Sequence, residues 1–206
     1  MRRVAGVIPH NAGLATVFIP ITRGARMHVT AEDVVSFWRE AGPSKWFGGG
    51  AAFDTRCRET CLDLHMAAAR GELHDWNDAA DRALALVLLL DQIPRNVFRG
   101  SAHAYATDPM AHSVAERAIG HGYDMQVEAP LRTFFYLPFM HSEAMLDQQR
   151  AVELYQSLDA PDADKWALHH RSIIERFGRF PHRNRLLGRV STPAEQAFLD
   201  EGGFGG

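Results

Sequence analysis

The chain has 206 residues, 46% of them hydrophobic and 23% charged, with a formal net charge of −3; this suits one well-cored domain and is short for two. No run approaches the roughly 18 uninterrupted apolar residues of a membrane-spanning helix, so no membrane association is expected. Positions 1–26 carry Arg2, Arg3, Arg23 and Arg26 and no acidic residue, so the remainder holds 18 of the 22 basic side chains against all 25 acidic ones, formally −7. A body that acidic excludes general nucleic-acid binding, which needs a basic face to neutralise phosphates. The Arg-rich segment 176–189 is the one local exception.

Residues 1–26 resemble a signal peptide only in their early arginines, because Pro9, Asn11 and Pro20 interrupt any apolar core. Met27 stands directly before a clean helix start. The expectation is therefore a non-domain extension over 1–26, with Met27 as the natural start, and a single all-helical domain over 27–206. The one strand-like stretch, 17–21, falls in the extension. Thr30 with Glu32 and Asp33 opens a helix whose apolar side is Val34, Val35, Phe37 and Trp38, and Gly42-Pro43 ends it. A loop with Trp46, Phe47 and three glycines follows. A second helix runs over 52–70, with apolar residues at 53, 57, 61, 64 and 68. Its Cys57 and Cys61, the only cysteines, read as buried thiols in a reducing compartment, which makes the cytoplasm the expected location.

Residues 76–90 form a third, mostly buried helix. Asp108-Pro109 opens another that reaches about Gly120. Pro130 starts a short aromatic helix that Pro138 is expected to break or kink. Helices over 141–158 and 162–177 follow, and Thr192-Pro193-Ala194-Glu195 is a capping box for a last short one. About seven helices joined by short loops predict an all-α domain of antiparallel helix pairs.

Two segments echo each other. Near the middle stands Asp91-Gln92-Ile93-Pro94-Arg95-Asn96-Val97-Phe98-Arg99-Gly100. Near the end stands Phe177-Gly178-Arg179-Phe180-Pro181-His182-Arg183-Asn184, with Leu187-Gly188-Arg189 beyond it. In each, an apolar run reaches a proline followed by an Arg-Asn pair, which predicts a backbone turn at Ile93-Pro94 and again at Phe180-Pro181. Two readings stay open. The pairs are corner and capping devices, their arginines absorbed by Asp91, Asp108, Glu143 or Glu175. Alternatively Arg95, Asn96, Arg179, Arg183 and Asn184 converge on a small anion, since Arg grips a carboxylate or phosphate with two parallel hydrogen bonds. His141 and His182 are then the acid–base candidates, with Glu143 aligning one of them.

No metal is assigned. His141, Glu143, His169, His170 and His182 lack a recognised ligand spacing such as His-Glu-x-x-His, and adjacent His169 and His170 point about 100° apart on a helix. Neither a phosphate-binding glycine loop nor a Gly-x-Ser-x-Gly elbow is present. The sequence identifies no cofactor, reaction or oligomeric state.

The segment 90–100, Tyr136-Leu137-Pro138 with His141-Ser142-Glu143, and the segment 177–189 closely resemble the bacterial domain of unknown function 924 family. Trp46-Phe47 and Ser191-Thr192-Pro193-Ala194-Glu195 fit it too. The resemblance covers about 30–203 and leaves 1–26 outside. It implies a tetratricopeptide-like all-helical fold with right-handed superhelical packing, and it supplies no mechanism. The chain departs from the family pattern at Phe139-Met140, where a carboxylate more often precedes the histidine. The favoured reading is an Arg/Asn/His-lined pocket for a small anionic ligand. The alternative is a scaffold whose groove holds a protein or peptide partner without catalysis; distinctive residues gathered at helix ends favour the pocket, because a groove would spread them along helix faces.

Overall fold

The computed structural model describes residues 29–158 and 160–205. The expected start at Met27, the extension over 1–26 and its strand-like stretch lie outside the described residues. Within them the chain is all-helical, with no strand. The helices are α1 (Ala31–Ala41), α2 (Pro43–Trp46), α3 (Gly50–Ala69), α4 (Ala80–Val87), α5 (Ile93–Val97), α6 (Asp108–Gly120), α7 (Ala129–Met140), α8 (Met145–Gln156), α9 (Lys165–Phe177) and α10 (Pro193–Asp200). Because α4 and α5 are joined into one rod, the described residues hold nine helical rods rather than seven. The additions are short pieces such as α2, which forms where a loop was expected. No helix of the described residues is long and apolar enough to cross a membrane.

Local rules place the helix ends. Thr30 caps α1 in a reciprocal capping box with Asp33, and Thr192 does the same for α10 with Glu195. Gly178 ends α9 in the left-handed conformation (φ 69°), and its N–H bonds the Ile174 carbonyl. Packing runs largely between neighbours in sequence: α6 on α7, α7 on α8 and α8 on α9. The rod α4–α5 is the exception and forms the axis of the core. It touches α1, α3, α6 and α7, and every residue from Ala83 to Pro94 is buried. Against α1, Trp38 is wholly buried and meets Phe134 edge to face at 5.6 Å. Trp46 anchors α2 by donating from Nε1 to the Trp38 carbonyl at 2.8 Å. Each such fully buried large side chain contributes roughly 1.5–3 kcal/mol.

The expected turn at Ile93-Pro94 does not occur. The chain passes through Leu88–Gln92 as a single π-helical turn and continues directly into α5. Proline cannot donate to the carbonyl four residues back, and its ring crowds that carbonyl. The wider turn relieves this by sending the Ile93 N–H to the Leu88 carbonyl, five residues back. The freed carbonyls then find side chains. His65 Nδ1 donates to Leu89 O at 2.8 Å, Thr107 Oγ1 to Leu90 O at 2.5 Å, Arg95 to Asp91 O, and Asn96 Nδ2 to Gln92 O at 3.0 Å. Pro138 likewise sits inside α7, which runs on to Met140. The next helix begins at Met145, not His141, because residues 141–144 form a turn in which Ser142 Oγ accepts from Ala144 N and donates to Asp147.

Thr107→Val removes the one side-chain donor that the Leu90 carbonyl has among the described residues while keeping the shape. It is expected to cost about 1–3 kcal/mol of unfolding free energy, the desolvation of one orphaned buried acceptor, read from urea denaturation.

Candidate functional site

The π-helical turn delivers a carboxylate to the middle of the core. Asp91 is 0% exposed, and a buried carboxylate is tolerated only with charge and hydrogen-bond partners. His141 Nδ1 lies 2.8 Å from Asp91 Oδ1, and Gln92 Nε2 donates to Oδ2 at 2.6 Å. Arg95, one turn on, brings Nη1 to 3.2 Å from Oδ1. Burial alone would raise the Asp91 carboxyl, but the Arg95 and His141 charges and the bonds from His141 and Gln92 outweigh it and hold the group well below the usual carboxylate range. Asp91 is therefore ionised and accepts only, so His141 carries its proton on Nδ1.

The network continues across the fold. Arg95 Nη1 also lies 3.0 Å from Asp108 Oδ1, and its Nη2 donates to Oδ2 at 3.1 Å. Asp108 opens α6. Arg183 reaches the same carboxylate from the turn after Pro181, with Nη1 3.4 Å from Oδ2. The two echoed arginines thus meet on one aspartate, although one stands in a continuous helix and the other past a true corner. Phe180, extended at φ −88°, ψ 107° before Pro181, makes that corner.

Arg183 is under-satisfied. Its side chain is 8% exposed, its Cζ lies 4.7 Å from the Tyr105 ring and 4.6 Å from the Phe180 ring, and its buried Nε has no hydrogen-bond partner among the described residues. Burial and the charge of Arg95 lower its pKa. Three histidines belong to the same cluster. The His170 ring is 5.6 Å from Phe180 and 6.5 Å from His141, and the His182 ring is 5.7 Å from Phe180. His170 Nδ1 lies 2.7 Å from the Trp166 carbonyl, while His182 Nδ1 is buried without a partner among the described residues. Burial is the main cause that lowers all three, with Arg95 adding to it at His141, His141 at His170 and Arg183 at His182; His170 falls to about 4 and His182 to about 3. Phe204 packs on His170 at 4.6 Å and on His182 at 5.1 Å.

The other candidates from the sequence lie apart from this cluster or serve its walls. Asn96 bonds its own helix through Gln92 O and accepts from Arg99 at 3.4 Å. Arg179 grips Glu195 with two bonds of 2.6 and 2.8 Å and donates to Val190 O, tying the corner to α10. Glu143 hydrogen-bonds neither histidine. It accepts from Phe180 N at 2.8 Å and from both terminal nitrogens of Arg189 at 2.7 and 3.0 Å, while Arg189 Nη2 donates to Phe180 O, so the pair clamps the Phe180 peptide. The carboxylate that orients His141 is Asp91. Buried Asn184 donates to Ser191 Oγ at 3.1 Å, and its Oδ1 is unpartnered among the described residues. His170 was weighed in the sequence only as a metal ligand, and Tyr105 carried no sequence signal. Among the described residues no group of three or more His, Cys, Asp and Glu has the geometry to hold a metal ion. A surface depression of about 710 Å³ beside α9, lined by Lys165, Trp166 and His169 among others, includes none of the Asp91–Arg183 network.

Two outcomes follow for stability. Asp91→Ala removes the partner of His141 Nδ1 and one of the two carboxylates on Arg95 and is expected to cost about 3–5 kcal/mol, or to prevent folding, by chemical denaturation. His170 and His182 are held below their ordinary 6.5. As pH drops through 6.5 the unfolded chain binds protons that the folded chain refuses, so stability is full above 6.5 and falls down to about pH 4 for His170 and about 3 for His182. The slope is at most ~1.4 kcal/mol per pH unit per histidine. His182→Phe should flatten it in a pH series of urea melts.

The bacterial family described as a protein of unknown function, DUF924, matches residues 34–203. A solved structure, the protein of unknown function ATU0120 from Agrobacterium tumefaciens, is 53% identical over 83% of this chain and 97% of that one, with a TM-score of 0.80. No curated protein matches the chain. The chain belongs to the DUF924 family.

Proposed function

We propose that this DUF924 member binds a small oxyanion, a carboxylate or a phosphate, at Arg183, with His141 and His182 beside it as proton donor or acceptor. One observation carries the reading. A guanidinium that is 8% exposed has a single ionic contact, at 3.4 Å, to a carboxylate that Arg95 already holds at 3.0–3.1 Å, and its Nε is unmatched among the described residues. Five donors with one long bond leave a buried group under-satisfied, which costs free energy unless an acceptor arrives. An oxyanion accepting from the terminal nitrogens supplies it, the sealed Nε staying inside the protein.

The rest of the cluster supports the same ligand. Arg95 places a second positive charge behind Asp108, and His182 offers a further unpaired nitrogen. Asp91 fixes the His141 tautomer and stabilises an imidazolium, the arrangement that lets a histidine move a proton at a bound anion. His141 and Arg95 keep a narrow exposed edge, 13% and 19%. In this reading Arg179 and Glu143 build the wall and do not touch ligand. Cys57 and Cys61, free and buried, suit a reducing compartment such as the cytoplasm.

The test is thermal unfolding of the purified protein in phosphate and in small carboxylates, against chloride at equal ionic strength. Saturation at about 100 times Kd is worth ~2.7 kcal/mol, an easily read rise in melting temperature. Arg183→Met is expected to fold and to lose that rise, while Arg150→Met, a change in an exposed Arg–Glu pair, keeps it. Wild-type protein that melts identically in all these salts, or an Arg183→Met protein that still responds, overturns the reading.

A further inference from the structure

We propose that the surface between the end of α9 and the start of α10 docks an acidic peptide segment of a partner protein. The observation behind it is Arg176, a guanidinium stacked on aromatic rings with no carboxylate of its own, in a depression beside the exposed Val190. The inference is independent of the anion reading at Arg183.

Between Glu175 and Glu195 the chain carries five arginines and no acidic residue. Three of them are spent on acids from elsewhere: Arg179 on Glu195, Arg183 on Asp108 and Arg189 on Glu143. Arg176 is not. It is exposed, its neighbour Glu175 is paired with Arg171 at 3.1 Å, and no carboxylate among the described residues forms an ion pair with it. Its Cζ lies instead 4.6 Å from the Phe177 ring and 5.6 Å from the Phe198 ring, whose centroids are 5.1 Å apart. Stacking holds the guanidinium in place without consuming its N–H donors, so those stay free for an incoming carboxylate.

A depression of about 510 Å³ collects these groups, lined by Arg176, Phe177, Arg179, Thr192, Ala194 and Glu195. Glu195 offers no free negative charge there, since it accepts both Arg179 bonds and the Thr192 N–H and its side chain is 2% exposed. Two arginines against one glutamate leave the lining net positive, and Arg176 carries the surplus. Arg179 also donates to the Val190 carbonyl at 2.9 Å, which places Val190, 88% exposed, beside the same depression. Arginine and aromatic rings are the side chains enriched in protein interfaces, and Val190 adds an apolar one in water.

Charge complementarity selects the occupant. Residues 27–206 are formally −7, with 18 basic against 25 acidic side chains, so an acidic segment is repelled over most of the surface and attracted at this face. An uncharged segment would leave Arg176 unpaired. A small anion would answer Arg176 and leave Val190 in water. A peptide with carboxylates beside an apolar residue answers both.

The test uses the full-length protein and a fluorescein-labelled, glutamate-rich peptide with a central leucine, titrated by fluorescence anisotropy. The reference is the same peptide with glutamine for glutamate. The glutamate peptide is expected to bind and the glutamine one not, and binding should weaken as NaCl rises from about 0.05 M to about 0.5 M and the screening length shrinks. Arg176→Ala should weaken it at least about fivefold, the scale of one effective interface side chain. Val190→Ser should weaken it too, whereas Arg150→Met, in an exposed pair on α8, should not. Arg176 and Val190 are both exposed, so melting temperatures close to wild type are expected and assign the loss to binding. A glutamate peptide that fails to bind at low salt, or binds Arg176→Ala unchanged, overturns the proposal. So does its displacement by an equal carboxylate concentration of citrate at matched ionic strength, which makes the occupant a small anion. A dimer in sedimentation that Arg176→Ala abolishes makes the occupant a second copy, and overturns it as well.

Discussion

A carboxylate with no access to water sits at the crossing point of this domain, and much of the surrounding architecture supplies its partners. Asp91 draws a histidine from the turn after α7, an arginine from one turn further along its own rod, and an amide from its sequence neighbour. Through Arg95 it is linked to Asp108 at the start of α6, and through Asp108 to Arg183 beyond α9. Positive and negative groups alternate along that line, so each buried charge has an opposite one next to it. Such a chain fixes the relative placement of elements distant in sequence, because a shift of any one would leave an uncompensated charge in a poorly polarisable interior.

The same region explains why the central rod contains a proline. An ordinary helix would break at Pro94; one π-helical turn lets it continue, at the cost of several unpaired carbonyls. His65, Thr107, Arg95 and Asn96 take up those carbonyls from three different parts of the chain. The irregular turn is thus held open by tertiary contacts, and π-helical turns of this kind are common where a helix carries functional side chains. Here it buries Asp91 and Gln92 while aiming Arg95 at Asp108.

The second half of the site is built differently. Gly178 reverses the chain after α9, Phe180-Pro181 makes an extended corner, and the Glu143–Arg189 pair holds both the N–H and the carbonyl of Phe180. Arg179 and Glu195 secure the same corner to α10. Held from two sides, the corner delivers His182 and Arg183 to the interior with donors left over. Among the described residues Arg183 Nε and His182 Nδ1 stay unpartnered there, as does Arg189 Nε in the clamp itself.

Much of the frame was legible in sequence because it depends on neighbours along the chain. Capping residues such as Thr30 and Thr192, and the periodicity of Phe53, Cys57, Cys61 and Ala68, are read from positions three and four apart, as far as local physics reaches. The importance of the two Pro-Arg-Asn segments was legible for the same reason. Their conformations were not: whether Pro94 ends a helix or rides through it turns on Thr107 and His65, residues 13 and 29 positions away, reaching the freed carbonyls. Nor could sequence pair His141 with Asp91, since Glu143 is nearer along the chain and only the packing of α7 on the central rod brings residues 50 apart within 2.8 Å. The sequence by itself determined the helical class, most helix starts and the residues from which a site is drawn. The tertiary structure alone decided which carboxylate serves which base, because burial sets the strength of a charge interaction and burial belongs to the folded whole.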